Sequence, residues 1–227
     1  MSFAHSESPR PVRERPRIDP HRSRQRMVDE LARRGVRDPR VLEAMGSVPR
    51  HLFVDEALAF RAYEIGTLPL GLGQTISSPL TVARMTELLC VSPGMRVLEV
   101  GTGSGYQAAV LARLGCDVYT TERLPQLYRR TRALLADIGV TRVHMILADG
   151  TLGFPRTAPY DRVIVTAGGP QVPRPLLDQL DENGIMLIPV GDPHSQRLVR
   201  VVRTGGGFAE EDCGPAAFVD LVGNHGW

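Results

Sequence analysis

The stretch Val97-Leu98-Glu99-Val100-Gly101-Thr102-Gly103-Ser104-Gly105-Tyr106 decides the fold. A short apolar strand, predicted over 96–100, runs into three alternating glycines and then into a helix predicted over 104–114. Glycine lets a backbone turn sharply and lets a ligand lie against it. A dinucleotide fingerprint would read Gly-x-Gly-x-x-Gly. Tyr106 stands where its third glycine belongs, so that template fails. A Gly-x-Ser-x-Gly nucleophile elbow fails too, because Thr102 and Tyr106 flank Gly103-Ser104-Gly105.

Downstream, strand and helix patterns alternate. Strands are predicted over 117–121, 143–148, 162–166 and 185–190, and helices over 125–138 and 173–180. That alternation implies a parallel sheet with helices on both faces. The tail changes character. Strand-like runs at 197–203, 208–212 and 216–221, with Gly205-Gly206-Gly207 as a turn, are expected to extend the sheet, at least partly antiparallel.

Upstream of the glycines the pattern is helical. A helix opens near Pro20, carries Met27, Leu31 and Ala32, and stops at Gly35. Asp38-Pro39 reads as the N-cap and first residue of a second helix. One or two helical turns are expected around 54–60, and a further helix over 79–90. Residues 66–79 are apolar, punctuated by glycine and proline, and lack a strand pattern, so a long functional loop is expected there.

The 227 residues include 27 basic ones, all arginine, against 25 acids. The absence of lysine removes a Walker phosphate loop, a Schiff-base lysine and a kinase-type lysine. Sparse aromatics (5%) weigh against a base-stacking platform. Cys90, Cys116 and Cys213 are odd in number, without metal spacing, and expected to be reduced and buried. The six histidines show no metal-ligand spacing, and His144 is expected in the core or at a sheet edge. No apolar run reaches the ~18 residues of a membrane helix, and a signal-peptide apolar core is missing. With cysteines read as reduced, a cytoplasmic location is expected; a monomer is expected as well. Charge is uneven: residues 1–37 balance to +5 and residues 38–227 to −3. Residues 1–20, rich in arginine and proline, are expected to be a disordered basic arm. Residues 21–92 are read as a helical cap with the substrate loop, and residues 93–227 as the core with its C-terminal strands.

Glu122 follows the second strand, 21 residues beyond Gly101, where a carboxylate can accept both hydroxyl protons of a ribose. Asp149-Gly150 ends the third strand. The carboxylate there can hold an adenine amino group while the glycine makes room for the ring. All three elements lie at strand C-termini, where open α/β sheets place ligands.

The Glu-x-Gly-x-Gly-x-Gly form, Glu99 through Gly105, resembles the cofactor loop of S-adenosylmethionine-dependent methyltransferases. Gly73-Gln74-Thr75-Ile76-Ser77-Ser78-Pro79 narrows the resemblance to the protein-L-isoaspartate O-methyltransferase family. Val48-Pro49-Arg50, Phe53-Val54-Asp55, Val165-Thr166-Ala167 and Leu221-Val222-Gly223-Asn224-His225-Gly226-Trp227 extend it from about residue 24 to the end. Leu80 stands where some members have histidine, and residues 1–20 lie outside the shared pattern.

The resemblance implies a Rossmann-like α/β fold with S-adenosylmethionine as methyl donor. Glu99, Gly101, Gly103, Gly105, Glu122, Asp149, Gly150 and the segment Thr75, Ile76 and Ser77 would hold that donor. Thr75, Ile76 and Ser77 would also border the substrate, with Ser77 as the essential serine. No metal is implied. The acceptor would be the free carboxylate of an isoaspartyl residue, with an unperturbed pKa of ~4. It is already an anion at neutral pH, so no strong general base is required. Positioning can then supply on the order of 7–11 kcal/mol. The methyl ester would close to a succinimide without enzyme and hydrolyse partly to normal aspartate. Substrates would be flexible peptides and proteins, with neither nucleic acid nor membrane as partner. His225 and Trp227 are placed to pack the tail against the substrate loop, or simply against the body. Three other readings share the donor site: an aspartate methyltransferase forming an imide in a dedicated partner peptide, an RNA methyltransferase, and a non-enzymatic donor-binding module. The full-length tail, the missing Asn-Pro-Pro-Tyr-like motif and the presence of Ser77 weigh against these in turn.

Overall fold

A computed structural model describes residues 19–227; the expectation for the basic arm falls outside them except at its last two residues. Three helices open the described chain, each with the same two-residue device. Helix α1 (Pro20–Arg33) is capped by Asp19, α2 (Pro39–Ser47) by Asp38 and α3 (Pro79–Leu89) by Ser78. In each, proline takes the first helical position, where its missing N–H costs nothing, and the preceding side chain accepts from an otherwise orphaned amide. Between α2 and α3 the chain makes two 3₁₀ turns, Arg50–Phe53 and Glu56–Arg61. The expected long loop then proves to be a hairpin. Strands β1 (Leu68–Gly71) and β2 (Gln74–Ile76) pair antiparallel, with Leu68 opposite Ile76. The turn between them holds Gly71, Leu72 and Gly73 at positive φ. Strands of four and three residues are too short for alternation to register, which is why no strand pattern is visible there.

Strands β3 (Arg96–Val100), β4 (Asp117–Glu122), β5 (Val143–Leu147), β6 (Tyr160–Val165), β7 (Leu180–Asp192), β8 (Ser195–Thr204) and β9 (Gly207–Ala216) form one sheet in the order β5-β4-β3-β6-β7-β8-β9. The first five are parallel, and β8 and β9 add antiparallel. Helices α4 (Tyr106–Arg113), α5 (Pro125–Asp137) and α6 (Arg174–Asp178) connect them. The alternation that defines a two-sided sheet is visible strand by strand. Val97, Ile164, Ile185 and Leu187 meet α3 and α4 on one face. Leu98, Val163, Val165, Met186 and Ile188 pack with Leu176 of α6 on the other.

The tail departs from expectation. A single strand, β9, ends at Ala216, and residues 217–221 leave the sheet edge instead of forming another strand. Buried Gln196 holds the departing chain, donating to the Phe218 carbonyl (3.0 Å) and accepting from its amide (2.8 Å). The cysteines are free, but only Cys116 is buried. Cys90, the C-cap of α3 in the left-handed region (φ 51°), is exposed, and Cys213 is half-buried. His144 lies exposed on edge strand β5, stacked on Tyr119. No described helix is long and apolar enough to cross a membrane.

The N-terminal elements share a core with the sheet domain: Met27, Leu31, Val41 and Met45 cluster with Tyr106, Ala109 and Val110 of α4 and Leu135 of α5. Leu31 is fully buried, so Leu31→Ala should cost about 2–5 kcal/mol. Urea denaturation should show one transition moved to lower denaturant. An unchanged midpoint would mean that the cap contributes nothing to the stability of the whole.

Candidate active site

The strand order reverses between β3 and β6, and a cleft opens at the C-terminal ends of β3, β4 and β6, as this topology dictates. It holds about 870 Å³ including its open mouth. One wall is the glycine loop, 101–104, with Glu99 and Val100 beneath it. The facing wall is Gln74-Thr75-Ile76-Ser77 and the first turns of α3. Glu122, Arg123, Gly150 and the departing tail, 218–222, complete the lining.

The loop is held by its neighbours. The amides of Gly101 and Thr102 both donate to the Thr121 carbonyl (3.0 Å each), and that of Gly103 donates to the Glu122 carboxylate (3.0 Å). Thr131 and Thr166 hydroxyls donate to the carbonyls of Gly103 (2.7 Å) and Gly101 (2.6 Å). Gly101 sits at φ 97°, and a β-carbon there would lie 2.6 Å from the Thr166 hydroxyl. A β-carbon on Gly150 would meet Val100 and Thr121 at 2.6–2.7 Å. Gly105, at φ 84°, packs against Thr131 and Leu135 instead of lining the cleft.

Glu122 is nearly buried, and its second oxygen accepts from the Leu124 amide (2.9 Å). Glu99 is fully buried. One of its oxygens accepts from Thr120, whose hydroxyl also meets that of Thr102 (2.8 Å); the other has no partner among the described residues. Burial, reinforced by the neighbouring Glu122 charge, raises the Glu99 carboxyl from 4.5 to about 8, while the Thr120 hydrogen bond opposes the shift. A cationic group beside it would restore the ionised form.

Of the expected site residues, Thr75, Ile76, Ser77, Glu99, Gly101, Gly103, Glu122 and Gly150 share the cleft. Asp149 stands just outside. Its carboxylate accepts from the amide (2.9 Å) and hydroxyl (2.7 Å) of Thr151 and from the Asn224 amide (2.8 Å). Although desolvation opposes it, these bonds and nearby His225 hold its pKa below the usual value. The tail therefore docks on the 149–151 turn, where the His225 amide reaches the Thr151 hydroxyl (3.2 Å), and the Trp227 indole reaches the Gly168 carbonyl (3.1 Å). Neither His225 nor Trp227 lines the cleft, so their packing is against the body and not the substrate loop. Ser78, not Ser77, caps α3, accepting from the Thr81 amide (3.1 Å), which leaves the Ser77 hydroxyl outside that cap. Sequence reading missed the threonines that brace the loop and the tail as a cleft wall. Thr166 was within reach, through its place in Val165-Thr166-Ala167, but a threonine hydroxyl carries no spacing signal of its own.

A strand–glycine loop–helix at the switch point, an acid ending the second strand, and a facing wall built outside the sheet define a Rossmann-like methyltransferase. The family model for protein-L-isoaspartate(D-aspartate) O-methyltransferase matches residues 22–226. The chain belongs to that family. It is 53% identical to the protein-L-isoaspartate O-methyltransferase of Syntrophotalea carbinolica over 207 residues, 90% of this chain and 95% of the relative. A solved protein-L-isoaspartate O-methyltransferase superposes with a TM-score of 0.82 at 27% identity, over 89% of this chain and 67% of that one. A Plasmodium falciparum chain solved with S-adenosyl-L-homocysteine has the same fold, with a TM-score of 0.75 at 23% identity over 88% of this chain and 99% of its own length.

Because the folded Glu99 binds its proton more tightly than the unfolded one, its contribution to stability is fully present below pH 4.5 and is lost as pH rises to about 8. The slope is bounded by roughly 1.4 kcal/mol per pH unit. Glu99→Gln cannot ionise and should lack this component. Denaturation of both proteins across pH 4–9 checks it; parallel curves would disprove the assignment.

Proposed function

We propose that the protein transfers a methyl group from S-adenosylmethionine to the free carboxylate of L-isoaspartyl residues in damaged peptides and proteins, starting their repair through a succinimide. One observation carries this reading: the glycine loop and Thr75-Ile76-Ser77 line one and the same cleft. When bound, the donor supplies an electrophilic methyl group on a sulfonium and leaves as a neutral thioether.

The residues present fit that group. The two oxygens of Glu122, each already oriented by one backbone amide, accept the ribose hydroxyl protons. The unpartnered oxygen of buried Glu99 suits the donor's ammonium. Gly101 and Gly103 bring backbone against the donor, Gly105 permits the turn, and Gly150 leaves room for the adenine ring. Asp149 holds the adenine amino group while keeping its grip on the tail. On the facing wall, backbone groups of Thr75 and Ile76 hold the kinked peptide. The Ser77 hydroxyl, free of the helix cap, orients the attacking carboxylate. Because that carboxylate arrives ionised, the site needs in-line alignment and exclusion of water, with no strong base.

Residues 21–92 thus serve the substrate, with Thr75, Ile76 and Ser77 also bordering the donor, and residues 93–227 hold the donor. The enzyme acts in the cytoplasm as a monomer, on flexible protein segments and not on nucleic acid or membrane; the free cysteines and the acidic balance of residues 38–227 support this.

Labelled donor offered with matched peptides containing isoaspartate, aspartate or neither, and with RNA, tests the reading. Label should appear on the isoaspartyl peptide; label confined to normal aspartate or RNA ends it. Ser77→Ala should lower turnover by about 100-fold or more, a loss within the range that positioning supplies, with S-adenosylhomocysteine affinity kept. Unchanged turnover would remove Ser77 from its assigned role.

A further inference from the structure

Among the described residues Arg50 is the one arginine that is fully buried. It belongs to the first 3₁₀ turn of the cap and lies behind the substrate wall. Its Nε donates to the Ala62 carbonyl and its Nη2 to the Ser77 carbonyl, both at 2.7 Å. Its guanidinium carbon lies 4.6 Å from the ring centre of Tyr106, a residue that lines the cleft. Its Nη1 has no partner. No ion pair among the described residues includes it. Nearby Arg24, which donates to the Ser47 carbonyl (2.8 Å), also keeps a buried Nε unpartnered and is likewise in no ion pair.

A buried cation without a counter-anion is costly. Two carbonyls and an aromatic face offset only part of that cost. Burial draws the Arg50 pKa down to about 10, opposed by Tyr106 and Tyr63, so the charge persists at neutral pH. The fold therefore maintains a positive charge behind the wall that receives the acceptor and places no carboxylate against it.

We infer that Arg50 is a positioning residue that both fixes the Ser77 backbone and selects an ionised acceptor over a neutral one. This rests on the proposed role of Ser77. The acceptor carboxylate is the counter-anion that the buried guanidinium lacks. The attraction acts through the wall, so the carboxylate oxygens stay uncommitted to a guanidinium and available to attack. Charge of this kind does not separate isoaspartate from normal aspartate, since both are anions. That choice is left to the shape of the hairpin wall.

The test uses the enzyme saturated with S-adenosylhomocysteine and two peptides, one with isoaspartate and one with its neutral α-carboxamide. Wild type should bind the anion at least roughly tenfold more tightly, the scale of a unit charge about 12 Å away at an effective dielectric of about 20. Arg50→Met should reduce that preference to within about twofold, while Arg50→Lys should retain most of it, since it keeps the charge. Arg50→Gln, neutral yet able to donate to a carbonyl, gives the same comparison if the methionine variant does not fold. S-adenosylhomocysteine affinity should stay near wild type in every folded variant. Equal weakening of both peptides by Arg50→Met or Arg50→Gln would leave Arg50 a mere prop and overturn the inference. So would a wild type that binds both peptides equally. A wild type that does not bind the isoaspartyl peptide at all would instead sink the reading of the site.

Discussion

Three successive amides of the glycine loop, those of Gly101, Thr102 and Gly103, are all committed to the end of β4. A glycine-rich turn left to itself would sample many conformations, since glycine is the most permissive residue. Here the Thr121 carbonyl and the Glu122 carboxylate remove that freedom. Thr131 from α5 and Thr166 beyond β6 then hold the loop's carbonyls from either side. The loop is therefore a rigid floor fixed to three elements of the sheet domain. The cleft, the orientation of Glu122 and the approach of the opposite wall all depend on it.

The opposite wall is fixed by different means. A hairpin of seven strand residues cannot stabilise itself in water, and β2 continues directly into Ser77 and the cap of α3. Arg130 of α5 donates to the Leu70 carbonyl (3.2 Å) and Arg50 to the Ser77 carbonyl (2.7 Å), one at each end of the hairpin. Guanidinium suits this task because its planar, multidonor head can reach two carbonyls at once, as Arg50 does with Ala62 and Ser77. The arginine-only composition is thus compatible with a structural use, whatever its origin. What it excluded in the way of lysine chemistry is chemistry that an ionised acceptor does not need.

Legibility of the sequence tracked the length scale of each signal. The parallel core was legible because short apolar strands alternate with helices along the chain, and β3 and β4 run into residues of distinctive chemistry, the glycine loop and Glu122. The helix starts were legible because Asp38-Pro39 and Ser78-Pro79 are local devices. The hairpin was not, because three- and four-residue strands carry no period. The course of residues 217–227 was not either. It is decided by Gln196 and Asp149, which are distant in sequence and act through backbone groups that any residue presents. Asp149 shows the limit most clearly. Its place at a strand end pointed to a ligand, while its present bonds go to Thr151 and Asn224.

Three buried side-chain polar atoms among the described residues lack a partner: Glu99 Oε1, Arg50 Nη1 and Arg24 Nε. Native proteins rarely tolerate such atoms without a reason. Their placement is not random. The single unmatched acceptor lies under the glycine loop, and the unmatched donors lie in the cap, that of Arg50 behind the hairpin wall. Under the proposed reading, a cationic donor meets the acidic side and an anionic acceptor meets the basic side. Each half of the site would then carry a desolvation cost that only the correctly charged reactant relieves. Arg50 cannot be traded for a better-packed apolar residue without losing that complementarity, which gives a physical reason for a charge that stability alone would disfavour.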